Sequence, residues 1–170
     1  LFWFDILGKR LLSQRDGQPL EWALGERASA AGWIDSDRLM MASETALSIF
    51  DLRSGARERI CALEADNPLT RSNDGRADPW GGFWIGTMGL EAQPQAGAIY
   101  RYYRGELRRL FADITISNAI CFSPDRRFAY FADTDRQRIW RQALDEQHGW
   151  PSGEPQPFID GRVAGLNPDG

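Results

Sequence analysis

The sequence predicts an all-β chain of the β-propeller type. Two observations carry this: short aromatic-rich runs recur at intervals near 45 residues, and no apolar stripe at helical spacing persists long enough to propose a helix. Taking Trp3, Met40, Trp84 and Tyr130 as equivalent, the steps are 37, 44 and 46 residues (40−3, 84−40, 130−84). Propeller blades of four short strands run to roughly 40–50 residues each. A β-sandwich also joins short strands by turns, but the blade-length step favours the propeller.

The elements follow in chain order. Leu1-Phe2-Trp3-Phe4-Asp5, Arg38-Leu39-Met40-Met41-Ala42, Gly82-Phe83-Trp84-Ile85-Gly86 and Arg127-Phe128-Ala129-Tyr130-Phe131-Ala132-Asp133 are apolar runs bounded by Gly, Asp or Arg. Each suits a strand buried on both faces. Leu47-Ser48-Ile49-Phe50-Asp51, Ala98-Ile99-Tyr100-Arg101 and Arg138-Ile139-Trp140-Arg141 tend to alternate apolar and polar residues, as a strand with one buried face does. Gly55, Asp78-Pro79 and Pro124-Asp125 supply turn dihedrals between strands. Seven Trp and nine Phe suit the packing between blades. At about 45 residues per blade, 170 residues cover only about three to four blades. Residues 1–170 are therefore expected to form one partial propeller domain, truncated at both ends. It starts inside a strand and stops on the turn residues Asn167-Pro168-Asp169-Gly170. An unclosed ring exposes apolar blade faces, so this stretch is not expected to fold alone.

Composition narrows the function. Net charge is −4 and arginines are scattered among acids, so the clustered basic footprint of a nucleic-acid binder is missing. No apolar run approaches the ~18 residues that span a bilayer, and no basic leader is visible. Cys61 and Cys121 form no C-x-x-C and His148 is the single histidine, which excludes a zinc-finger site. The two cysteines read as buried or inert thiols in a reducing compartment, and the expected location is cytoplasmic. His148 lies in a polar stretch read as an exposed loop between blades, which argues against a Ser-His-Asp triad.

Three polar segments recur at blade-length spacing: Arg71-Ser72-Asn73-Asp74-Gly75, Ile116-Ser117-Asn118-Ala119 and Asn167-Pro168-Asp169-Gly170. Asn73 to Asn118 is 45 residues and Asn118 to Asp169 is 51. Each reads as the approach to the innermost strand of a blade, where equivalent positions converge on the axis. Taken singly, Asn-Asp-Gly and Pro-Asp-Gly are ordinary turn tripeptides. Taken together, convergent amide and carboxylate oxygens suit a hard divalent cation, and a carboxylate beside it suits a general base.

The stretch Arg71 to Pro79, running into Phe83-Trp84-Ile85-Gly86-Thr87-Met88, resembles the most specific signature of the SMP-30/gluconolactonase/regucalcin-like family. Gly97-Ala98-Ile99-Tyr100-Arg101, Thr115-Ile116-Ser117-Asn118, Phe122-Ser123-Pro124-Asp125, Tyr130-Phe131-Ala132-Asp133-Thr134 and Pro168-Asp169-Gly170 continue it in order. Leu1 to Ile6 is similar to the family's first recognisable strand. The resemblance implies a six-bladed propeller that holds one divalent cation (Ca2+, Zn2+, Mn2+ or Mg2+) and hydrolyses sugar lactones. It implies Asn118 and Asp169 as metal ligands, Asp169 also as general base, and Arg71, Asn73 and Glu91 as substrate contacts. The family's further ligand, a glutamate, lies upstream of the strand that matches Leu1 to Ile6. Ala119 stands where the family often has glycine, which fits if the backbone there is at negative φ. A metal-binding propeller without turnover is the alternative, since it needs the same ligands. A propeller scaffold for protein partners has no need of polar residues in register, and esterase or phosphotriesterase chemistry at the same metal is a further possibility.

Overall fold

The structure, a computed structural model, describes residues 1–163 and 165–169. The chain divides into two compact units, Leu1–Ser72 and Asn73–Gly170.

The first unit holds a three-stranded antiparallel sheet of β1 (Phe2–Asp5), β2 (Arg10–Arg15) and β3 (Gln18–Ala23), in that order. It also holds a four-stranded sheet of β4 (Ala28–Trp33), β5 (Arg38–Ser43), β6 (Ala46–Asp51) and β7 (Arg57–Ala62), again in chain order. Leu11, Leu39, Met41 and Phe50 are buried together, with Phe2 and Trp22 packed against them. β7 reads Arg-Glu-Arg-Ile-Cys-Ala and is largely exposed, so charge lies along an edge that would otherwise pair with another strand.

The boundary between the units falls within β8 (Thr70–Ala77). Its sheet continues with β9 (Phe83–Gly89), β10 (Gly97–Tyr103) and β11 (Glu106–Ile114). The last sheet is β12 (Ser117–Phe122), β13 (Phe128–Asp133), β14 (Arg138–Ala143) and β15 (Gln156–Asp160), followed by a 3-10 turn at Gly161–Val163. Every residue of β9 is buried, which explains why its sequence is an apolar run broken only by small residues. Trp84, Ile99, Ile120 and Phe131 centre the core of the second unit. Phe111, Phe131 and Trp140 stack across it, with ring centroids 4.5 and 5.7 Å apart and planes within 18° and 14°. A side chain on Gly86 would meet Ser117 Oγ at 2.1 Å, so only glycine lets β9 and β12 approach this closely.

A buried ion pair within the β8–β11 sheet holds a guanidinium against a ring of the last sheet. Asp78 Oδ1 accepts the N–H groups of Trp80 and Gly82 at 2.9 and 2.8 Å, closing the β8–β9 turn. Its Oδ2 accepts Arg101 Nε at 2.6 Å, and both side chains are fully buried. The guanidinium lies 4.5 Å from the ring centres of both Tyr103 and Trp150, the latter from the β14–β15 connection.

The structure corrects three expectations. β1 is not buried on both faces: Trp3 is 44% exposed. Arg71 to Gly75 and Ser117 to Ala119 lie on the first strand of their sheets, not before it; the Asn-Asp-Gly tripeptide is strand, held extended within β8. His148 sits within the last sheet's β14–β15 connection, half-buried, with its ring 6.2 Å from that of Tyr103. The two cysteines are free thiols, Cys61 half-buried and Cys121 exposed.

Candidate active site

The site grows out of a repeated Ser-Asn pair at the start of β8 and β12. Ser72 Oγ donates to Ala42 O at 3.3 Å, and Ser117 Oγ donates to Thr87 O at 3.1 Å. Within the second unit, Ser117 thus pins β12 to β9, and Ser72 makes the matching bond to β5 within the first unit. The asparagines that follow are then delivered at equivalent places.

Within the second unit, Asn73 and Asn118 meet. Asn73 Nδ2 donates to Asn118 Oδ1 at 2.9 Å and to Ser117 O at 2.9 Å. Asn118 is 5% exposed, and its Nδ2 donates to Thr134 Oγ1 at 2.8 Å. The Thr134 hydroxyl in turn donates to Pro168 O at 2.6 Å, the carbonyl next to Asp169. One hydrogen-bonded chain therefore links Asn73, Asn118 and the segment that carries Asp169. Asp169 itself is exposed; Gly170, the last residue of its motif, lies outside the described residues.

A bulge in β12 completes the arrangement. Asn118 pairs with Ala132 and Cys121 with Tyr130, so the register slips by one residue between them. Ala119 takes up the slip at φ +58°, in the left-handed region, which corrects the expectation of negative φ. The bulge turns the Ile120 N–H out of the ladder, and it donates to Asp74 Oδ2 at 2.7 Å. Burial pushes the Asp74 carboxyl above its ordinary value. The N–H groups of Ile120 and Gly75 and the charge of Arg76 pull it back, and the charge of Asp169 adds to the rise.

Two further expected residues, Arg71 and Glu91, lie on β8 and in the β9–β10 connection. Arg71 is a half-buried residue of the first unit, two positions before Asn73 on β8; its Nη1 donates to Ser72 O at 2.9 Å. Burial, and after it the neighbouring charge of Arg27, lowers its guanidinium from the ordinary value. Glu91 is in the exposed β9–β10 connection, where its N–H donates to Gln93 Oε1 at 3.1 Å. Asp74 and Thr134 were not singled out from the sequence. The first hid inside a tripeptide that reads as a turn, and the second carries no spacing signal of its own.

Among the described residues, no three His, Cys, Asp or Glu side chains gather as a metal cluster. The available donors are instead mixed oxygens. Asn118 Oδ1 accepts one hydrogen bond from Asn73 and keeps a lone pair, and Asp74 and Asp169 are carboxylates whose charges oppose each other. An all-oxygen set with carboxylate repulsion to relieve fits a hard divalent cation.

Comparison with known proteins agrees with this architecture. The family described as SMP-30/Gluconolactonase/LRE-like region matches residues 1–170, and the chain belongs to it. The chain is 34% identical to the 6-deoxy-6-sulfogluconolactonase of Pseudomonas putida over 173 residues, covering 100% of the chain and 59% of that protein. It is 36% identical to the L-arabinolactonase of Azospirillum brasilense over 183 residues, covering 100% of the chain and 58% of that protein. The crystal structure of a calcium-binding protein, regucalcin, from Agrobacterium tumefaciens superposes with a TM-score of 0.90 at 42% identity, covering 94% of this chain and 55% of that one. The fold is thus a β-propeller of this family, and the chain spans under three fifths of the length of these relatives.

Proposed function

We propose that the intact protein hydrolyses sugar lactones, with water attacking the lactone carbonyl and Asp169 acting as the general base. The observation that carries this reading is the hydrogen-bonded chain from Asn73 through Asn118 and Thr134 to Pro168, found in a chain whose relatives are named lactonases. A divalent cation (Ca2+, Zn2+, Mn2+ or Mg2+) bound by Asn118 and Asp169 would polarise the carbonyl and stabilise the charge that develops on its oxygen.

The chain's own residues do the rest. Asn73 and Thr134 hold the Asn118 amide in one orientation. Asp169 takes a proton from the attacking water, and its exposure leaves that water free to arrive. The ring C–O bond breaks, the proton passes to the leaving alkoxide oxygen, and the aldonic acid formed releases its carboxyl proton to water as aldonate. Asn73 and the forked guanidinium of Arg71 suit sugar or carbonyl oxygens, and Glu91 is proposed as a further substrate contact.

The test uses the full-length protein, stripped of metal and assayed on a panel of sugar lactones. Turnover is expected to vanish with chelator and to return on titration with one of the four cations. Asp169→Ala is expected to lower kcat by about 10²–10⁴-fold. Full turnover in that variant would remove Asp169 from the mechanism. Tight metal binding with no turnover on any lactone would favour the second reading, a metal-binding propeller without catalysis. The calcium-binding regucalcin structure is the observation that favours that alternative.

A further inference from the structure

The Thr134 hydroxyl has a single proton, and that proton is committed to the Pro168 carbonyl at 2.6 Å. Its oxygen is left as an acceptor, and the group facing it at 2.8 Å is Asn118 Nδ2. An amide that turns its nitrogen to Thr134 turns its oxygen the other way, where Asn73 Nδ2 meets it at 2.9 Å. A flipped amide would set two acceptors against each other at Thr134 and two donors against each other at Asn73. Asn118 is 5% exposed, so little water is at hand to repair such a mismatch.

Thr134 is itself held firmly. Its N–H donates to Ile116 O at 3.0 Å. The preceding residue, Asp133, is fully buried and accepts the N–H groups of Thr115 and Ile116 at 2.9 and 3.0 Å. The hydroxyl is therefore delivered from a backbone locked to Thr115 and Ile116, immediately before β12 and ending two residues ahead of Asn118.

We propose that Thr134 is a positioning residue: its hydroxyl fixes the Asn118 amide with the oxygen turned away from it, and anchors to Asn118 the segment that carries Asp169. This rests on the reading of Asn118 and Asp169 as the pair that holds the cation. Outer partners that orient a ligand of this kind are worth about 10–100-fold in metal affinity.

The experiment compares Thr134→Val, which keeps the shape and loses the hydroxyl, with Thr134→Ser, which keeps the hydroxyl. Thr134→Ala replaces the valine variant if that one does not fold. Calcium affinity of the full-length protein is measured by calorimetry. Exchange of the Asn118 side-chain amide protons is measured by NMR in the metal-free protein. The valine variant is expected to bind calcium about 10–100-fold more weakly and to lose amide protection, while the serine variant matches the wild type in both. Wild-type affinity in the valine variant overturns the proposal. So does a serine variant as weak as the valine one, since that would make the methyl group the working part. If the wild type binds none of the four cations, the metal reading falls, and the amide alone decides: protection lost in valine and kept in serine upholds the positioning role, and unchanged protection in valine overturns it.

Discussion

Asp74 is a half-buried carboxyl whose value is raised by burial and, further, by the charge of Asp169. A carboxyl raised in the fold favours folding while it is protonated. Its contribution is full below the ordinary value of 3.8 and is lost as the pH rises through the folded value. Near neutral pH, ionised Asp74 therefore weakens the metal-free protein. Asp74→Asn keeps an acceptor for the Ile120 N–H and removes the charge. It is expected to melt higher than the wild type at about pH 7 without metal, with the gap closing toward about pH 3. Thermal melts across that range check this; parallel curves at every pH would show that no burial penalty exists. None of this was legible in the sequence, because Asn73-Asp74-Gly75 has the composition of a turn and only the tertiary setting makes it strand. Ala119 is similar: a residue type says little about φ where a bulge dictates it.

Strands differed in how plainly the sequence announced them. β9 is buried on both faces and β13 fully on one, so their aromatic runs stand out. β3, β7 and β15 lie at sheet edges and carry mixed, exposed residues, so no pattern marks them. The equivalence of Trp3, Met40, Trp84 and Tyr130 places them on β1, β5, β9 and β13, each followed by two further strands in hairpin order. The spacing between Asn73 and Asn118 was equally visible, because a blade repeat returns the same side chain to the same place. Thr134 was not, because its role depends on a partner 34 residues away. The close approach of β9 and β12 supplies a test at this scale. Gly86→Ala forces Ser117 aside and is expected to cost about 1–3 kcal/mol by overpacking, read from denaturant unfolding. It should also weaken metal binding, since Ser117 precedes Asn118. A variant as stable as the wild type would mean that the two strands have room to part.

For the whole molecule, the relevant fact is that relatives of 34–36% identity extend well beyond this chain, which covers 58–59% of their length. Ligand binding to the native state alone adds stability by mass action. A cation at about 100 times its Kd contributes about 2.7 kcal/mol. The full-length protein is therefore expected to melt higher with excess cation and lower with chelator, and Asn118→Ala and Asp169→Ala variants should lose that response. A chelator-insensitive melt in the wild type would argue against a tightly held metal.

The ring stack of Phe111, Phe131 and Trp140 has an optical consequence. Three aromatic chromophores fixed nearly parallel at 4.5 and 5.7 Å, in one handed setting, couple their electronic transitions. Such an array produces a near-ultraviolet circular dichroism signal that survives only while β11, β13 and β14 keep their registry. The molecule thus carries an intrinsic, label-free reporter of whether these two sheets are docked, independent of anything bound at the site.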